Sequence, residues 1–170
     1  MNKEQLYMVF DVESVGLHGE GFAVGFVVVN GYGVEIQSGL AACPPDRARG
    51  TNEDRVWIKD NIPAIPENCD VPFQVRAHFW QQWMDWKQKG VILVTDCGWP
   101  VEARFLAQCV DDDRRRKWEG PYPLHDLASI LLAAGKNPTA TFDRLPNELP
   151  AHNPLNDARQ SARILIENLK

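Results

Sequence analysis

Leu6-Tyr7-Met8-Val9-Phe10-Asp11-Val12-Glu13 places five apolar residues directly before two acids set two apart. An unbroken apolar run of this length reads as a strand buried on both faces. Side chains two apart on a strand face the same way, so Asp11 and Glu13 converge where that strand ends. Two unit charges ~4 Å apart repel by about 1 kcal/mol in water and about 4 kcal/mol at an effective dielectric of 20. A cation would offset this, and hard carboxylate oxygens suit Mg²⁺ or Mn²⁺. A solvated strand end with both acids in water is the plainer alternative.

Outward from this strand, residues 22–30 and 34–37 read as two more strands. Asn30-Gly31-Tyr32-Gly33 joins them, and Asn-Gly is a strong hairpin signal. Thr51, with Asp54 three residues on, predicts a capped helix to residue 60. Over residues 73–89, Val75, Phe79, Trp83 and Trp86 share one helical face, with Gly90 as its terminator. That aromatic stripe fits burial against a sheet better than a base-stacking platform. A strand follows at 91–95, then a helix at 100–110 with Pro100 in its first turn. A short strand near 122–124 and a helix over 126–134, stopped by Gly135, come next. The last helix begins at Asn153-Pro154, a good cap before a good first helical residue, and presents Leu155, Ala158, Ala162, Leu165 and Leu169. Hairpin strands followed by alternating helices and strands predict one α/β domain over residues 1–170, built around a mixed sheet.

Composition narrows the function classes. The longest apolar run, residues 22–29, is far shorter than the ~20 residues of a membrane helix. The first five residues lack the pattern of a signal peptide, so a cytoplasmic protein is expected. Cys43, Cys69, Cys97 and Cys109 form no CxxC pair and read as reduced core residues. A net charge of −5 argues against broad adsorption to nucleic acid or anionic lipid, although local basic groups can still hold phosphates. The basic run at 114–117 follows Asp111-Asp112-Asp113, so local pairing is its default reading. His125-Asp126 reads as a helix cap.

Two further acidic clusters sit at element ends. Asp96 directly follows the strand at 91–95, and Glu102 lies in the first turn of the next helix. His152-Asn153-Pro154-Leu155-Asn156-Asp157 puts an imidazole at a helix mouth and a carboxylate one turn inside it. Histidine, with a reference pKa near ~6.5, is a natural general base. Taken singly, His152 reads equally as a helix-cap residue and Asp157 as an acid favoured by the helix dipole.

In order, Phe-Asp-Val-Glu-Ser-Val-Gly-Leu at 10–17, Val-Thr-Asp-Cys-Gly-Trp-Pro-Val-Glu-Ala-Arg-Phe-Leu at 94–106 and His-Asn-Pro-Leu-Asn-Asp-Ala-Arg at 152–159 span nearly the whole chain. This arrangement resembles the DEDDh branch of the 3′–5′ exonucleases. Oligoribonuclease, ribonuclease T, the proofreading subunit of bacterial replicative polymerase and small bacterial and phage exoribonuclease-like proteins belong there. The resemblance implies a ribonuclease-H-like three-layer sandwich, with a central mixed five-stranded sheet flanked by helices. It implies hydrolysis from the 3′ end of single-stranded nucleic acid, RNA rather than DNA. Asp11, Glu13 and Asp157 would hold one Mg²⁺ or Mn²⁺, and Asp11 would share a second with Asp96 or Glu102. His152 would take the proton of the attacking water, swinging in from its loop when substrate binds.

The middle block departs from the family pattern. Glu102 occupies the helical slot of the family's third carboxylate, and Gly98 stands where an Asn is usual. Asp96 has the usual residue type but lies six residues earlier, so both are retained. Ser14, Leu17 and Phe22 would meet the terminal nucleotide, although Phe22 equally begins a buried strand. Arg104, Arg159 and Arg163 are phosphate contacts or surface salt bridges. A DNA exonuclease and a catalytically weak nucleic-acid-binding module remain as alternatives. Family members often dimerise, so a homodimer is an implied assembly.

Overall fold

The computed structural model describes residues 4–169. The sequence reading of the extreme N-terminus therefore falls largely outside the described residues. Five strands form one sheet: β1 (Leu6–Ser14), β2 (Gly21–Asn30), β3 (Glu35–Ala42), β4 (Ile92–Thr95) and β5 (His125–Asp126). Their spatial order is β3-β2-β1-β4-β5. The first three strands pair antiparallel, whereas β4 joins β1 and β5 joins β4 in parallel. The helices are α1 (Asn52–Asn61), α2 (Pro72–Lys87), α3 (Ala103–Asp111), α4 (Leu127–Ala133) and α5 (Pro154–Asn168). The result is the expected three-layer α/β sandwich around a mixed five-stranded sheet.

Alternation along β1 and β2 sorts their side chains onto the two faces. Met8, Phe10, Val24, Phe26 and Val28 enter a core with α2 and α3. Tyr7, Val9, Val27 and Val29 enter a second core with α4 and α5. Asp11 and Glu13 continue the odd register, so they emerge on the side where α5 packs. Gly25, opposite Asp11 on β2, makes room there, because a Cβ at this position would collide with the backbone of Pro154 and Leu155. The first turn of α5 is thereby seated directly beside the end of β1.

Local signals held closely. Thr51 and Asp54 form a reciprocal capping box at α1. Val75, Phe79, Trp83 and Trp86 are all buried, and Gly90 ends the segment at φ +74. Differences lie where polar or proline-rich stretches hide the pattern. β3 runs to Ala42, five residues past the expected end, because its polar face carries no alternation to read. The strand expected near 122–124 forms instead at His125–Asp126. Pro123 has no N–H for a ladder and Tyr122 is 98% exposed. Ahead of α3, residues 98–102 form an irregular wide turn with Trp99 extended. Asp126 caps α4 by accepting from Ser129 N–H, as its sequence position predicts. All four cysteines are free, yet only Cys43 and Cys109 are buried; Cys97 is exposed. No described helix is long and apolar enough to cross a membrane.

Candidate active site

Three chain segments bring their acids to the C-terminal end of β1. Asp11 and Glu13 come from the strand itself. Thr95 pairs with Phe10, so Asp96 sits level with Asp11 on the neighbouring strand. Glu102 closes the turn before α3 and is only 7% exposed. Asp157 enters from the first turn of α5, whose N-terminus is capped by the Asn153 side chain accepting from Leu155 and Asn156 N–H.

The electrostatics record this crowding. Burial, then Asp157, Glu13, Glu102 and Asp96 in turn, push the Asp11 carboxyl well above its usual range. Burial, Asp157 and Glu102 raise Glu13 to about 8. Glu102 rises to about 7, chiefly by burial, although the backbone N–H groups of Glu102 and Val12 oppose the rise. Asp96 and Asp157 are also raised, first by loss of water. At Asp157 the Arg144 guanidinium and His152 pull the other way.

His152 holds a left-handed backbone, φ 58, unusual for a residue with a Cβ. That bend lets its N–H donate to Asp157 Oδ2 at 3.1 Å, while its Nδ1 stands 3.8 Å from Glu13 Oε1. One ligand atom each from Glu13, His152 and Asp157 lies within 4.8 Å of the others. This trio differs from the expected Asp11–Glu13–Asp157 set by carrying the imidazole in place of Asp11. Asp11 lies alongside and, with Asp157, lines two adjoining cavities. One, about 470 Å³, is walled by Glu13, Leu17, Trp57 and His152; the other, about 340 Å³, by Asp96, Thr139, Phe142, Arg144 and Gln160.

The remaining sequence-named residues divide. Ser14 borders the first cavity, its hydroxyl donating to Gly16 O at 2.8 Å, and Leu17 is 66% exposed there. Phe22 is 2% exposed, packed into the core as the start of β2, and has no face to offer a base. Arg159 is matched to Glu35, Nε to Oε2 and Nη2 to Oε1, both at 3.0 Å, so its guanidinium is not free for phosphate. Arg163 likewise binds Glu148.

Two residues of the site escaped sequence reading. Trp57, 51% exposed on α1, stands edge-on to His152 with ring centroids 5.7 Å apart. An exposed apolar pair, Val56-Trp57, inside a polar helix was its only signal. Arg144, from the proline-rich loop, pairs with Asp157 and donates to Glu148 O. Nothing local marks it.

Sheet order and helix placement make a ribonuclease-H-like α/β fold. The chain is similar in fold to E. coli ExoI in its zinc-bound complex with single-stranded DNA, with a TM-score of 0.65 at 11% identity. That match covers 96% of this chain and 40% of ExoI. It is also similar to a 3′-exonuclease that recognises the 3′ end of a histone mRNA stem-loop, with a TM-score of 0.54, 16% identity, and 96% and 63% coverage. The chain thus spans less than two thirds of either neighbour. No family profile matches the sequence, and no curated protein matches it.

Proposed function

We propose that this chain is a metal-dependent 3′–5′ exonuclease of single-stranded nucleic acid, with RNA preferred to DNA. The observation that carries this reading is the gathering of four further carboxylates around Asp11, two of which, Glu13 and Asp157, lie within shared ligand distance of His152. Divalent ions fit the donor set. Every acid in it has its pKa raised, first by burial and, except at Asp157, then by the neighbouring acids, and a divalent ion would offset both. Glu13 and Asp157, with Asp11 and either Asp96 or Glu102, would hold two Mg²⁺ or Mn²⁺. When bound, the ions would supply an acidified water and charge stabilisation at the phosphate and the leaving 3′ oxygen.

The protein's own groups do the rest. His152 accepts the proton of the attacking water at its imidazole, and Glu13 beside Nδ1 stabilises the imidazolium that results. Leu17 and Trp57 hold the terminal base between apolar surfaces, which tolerates any sequence. The Ser14–Leu17 turn faces its ribose. The RNA preference and a homodimeric assembly rest on family resemblance alone.

Labelled single-stranded RNA and its DNA counterpart, each incubated with Mg²⁺, Mn²⁺ or chelator, test the proposal. Stepwise shortening from the 3′ end, stopped by chelator, is expected. Internal cuts, or activity in chelator, would sink it.

A further inference from the structure

Of the three arginines that sequence reading left open between phosphate contact and salt bridge, two are matched to carboxylates and one is not. Arg104 makes no ion pair or hydrogen bond with any described residue, and its Nε is buried without a partner. One turn along α3, Gln108 Oε1 is also buried and unpartnered. Both side chains, with His18 and Arg49, line an open cavity of about 290 Å³ between the β1–β2 turn, residues 49–50 and α3. Buried polar atoms without partners are rare in folded proteins and point to a ligand or solvent that completes them.

The charge of this cavity selects an anion. Glu20 is the one acid lining it, and both of its oxygens are engaged. Oε1 accepts from Arg76 Nη1 at 2.7 Å, and Oε2 from Arg49 N at 3.0 Å and Arg49 Nε at 3.4 Å. Arg76 in turn grips Asp112 with two bonds of 2.6 and 2.9 Å. Two carboxylates and two guanidiniums cancel, which leaves Arg104 as surplus positive charge. Its planar fork of N–H donors matches phosphate oxygens. The place matters too. Leu17 lines the acidic cleft and His18, the next residue, lines this cavity; Glu102 precedes Arg104 by two residues.

We infer that the Arg104 cavity is a phosphate subsite, holding a backbone phosphate of the nucleic-acid strand beside the acidic cleft. The assignment rests on the exonuclease reading and extends it to how the strand is gripped away from the reacting bond.

Anisotropy of a fluorescein-labelled single-stranded decanucleotide, titrated in chelator over a salt series, tests it with the full chain. Arg104→Ala weakens binding roughly tenfold and makes the slope of log K against log salt shallower by about 0.7, the loss of one phosphate contact. Arg104→Lys keeps the slope and loses part of the affinity, since charge remains but the fork does not. Gln108→Glu, which adds an acid to the cavity without removing Arg104, weakens binding as well. Mn²⁺ binding is unchanged in all three. Equal affinity and slope in wild type, Arg104→Ala and Gln108→Glu would overturn the subsite. Inorganic phosphate, titrated while the Arg104 Nε–H resonance is followed, separates the sources. A saturable shift with no effect of the substitutions on strand binding assigns the cavity to free phosphate and overturns the strand assignment. Failure of the exonuclease reading is seen separately, as absence of metal-dependent shortening by the wild-type chain.

Discussion

Arg144 Nη1 lies 2.5 Å from Asp157 Oδ1, so the acid on the first turn of α5 already carries a cation. Arg144→Ala removes that partner. A part-buried charged hydrogen bond is worth about 1.5–3 kcal/mol. Each kcal/mol moves Tm by about 2–4 °C at this chain length. In chelator, Tm should therefore drop by roughly 3–12 °C, while the rise produced by added Mn²⁺ becomes larger because no guanidinium competes for Asp157. Scanning fluorimetry reads both; an undiminished Tm in chelator would mean the pair is idle.

The raised acids make metal-free stability fall with pH. Glu13 and Glu102 titrate near about 8 and about 7 in the folded chain, and Asp11, Asp96 and Asp157 are also raised. The native state holds these protons longer than the unfolded chain, so their favourable contribution is complete below the ordinary carboxylate range and is lost as pH rises through 7 to 8. Glu20, Glu35 and Glu148 are lowered by their arginine partners and act oppositely, losing stability as pH falls below the ordinary range. In chelator, Tm should peak near about pH 5 and decline toward about pH 8.5, and Mn²⁺ should flatten the decline. A metal-free Tm that climbs over that interval contradicts the shifts.

Asp11→Asn removes the most crowded charge while keeping the shape. The variant should melt higher than wild type in chelator and lose cleavage altogether, a trade of function for stability. A lower Tm in chelator would mean that Asp11 is not under repulsion.

His152→Ala should lower the cleavage rate by about 10²–10⁴, the usual worth of a general base. Added imidazole should restore part of the single-turnover rate in the variant, because it can stand where the ring stood. An undiminished rate without it would move the base elsewhere.

Glu102→Gln and Asp96→Asn discriminate between the two middle acids. Glu102 is buried, whereas Asp96 is exposed and lines a cavity with Asp11 and Asp157; we expect Glu102 as the fixed ligand and Asp96 as a water-bridged one. Mn²⁺ titration should weaken more in Glu102→Gln; the reverse order would give the ligand role to the strand tip.

The sequence by itself determined what depends on near neighbours. The β1 strand and its paired acids, the Thr51–Asp54 capping box, the α2 stripe, the Gly90 stop and the Asn153-Pro154 start all follow from residues within one or two turns of each other. Backbone geometry imposes periods of 2 and 3.6 on such residues, so their arrangement is written locally. The same text left Arg104, Arg159 and Arg163 indistinguishable. Only the folded chain could match Arg159 to Glu35, 124 positions away, Arg163 to Glu148, and leave Arg104 without an acid. Likewise Phe22 and Leu17 looked equally fit to meet a base until packing buried one and exposed the other. Arg144 joined the site with no local mark of it, and Trp57 with only an apolar pair in a polar helix to mark it. Whether a charge is free or a ring is exposed is set by what distant segments bring beside it, and that follows from close packing of the whole molecule, not from any window of sequence.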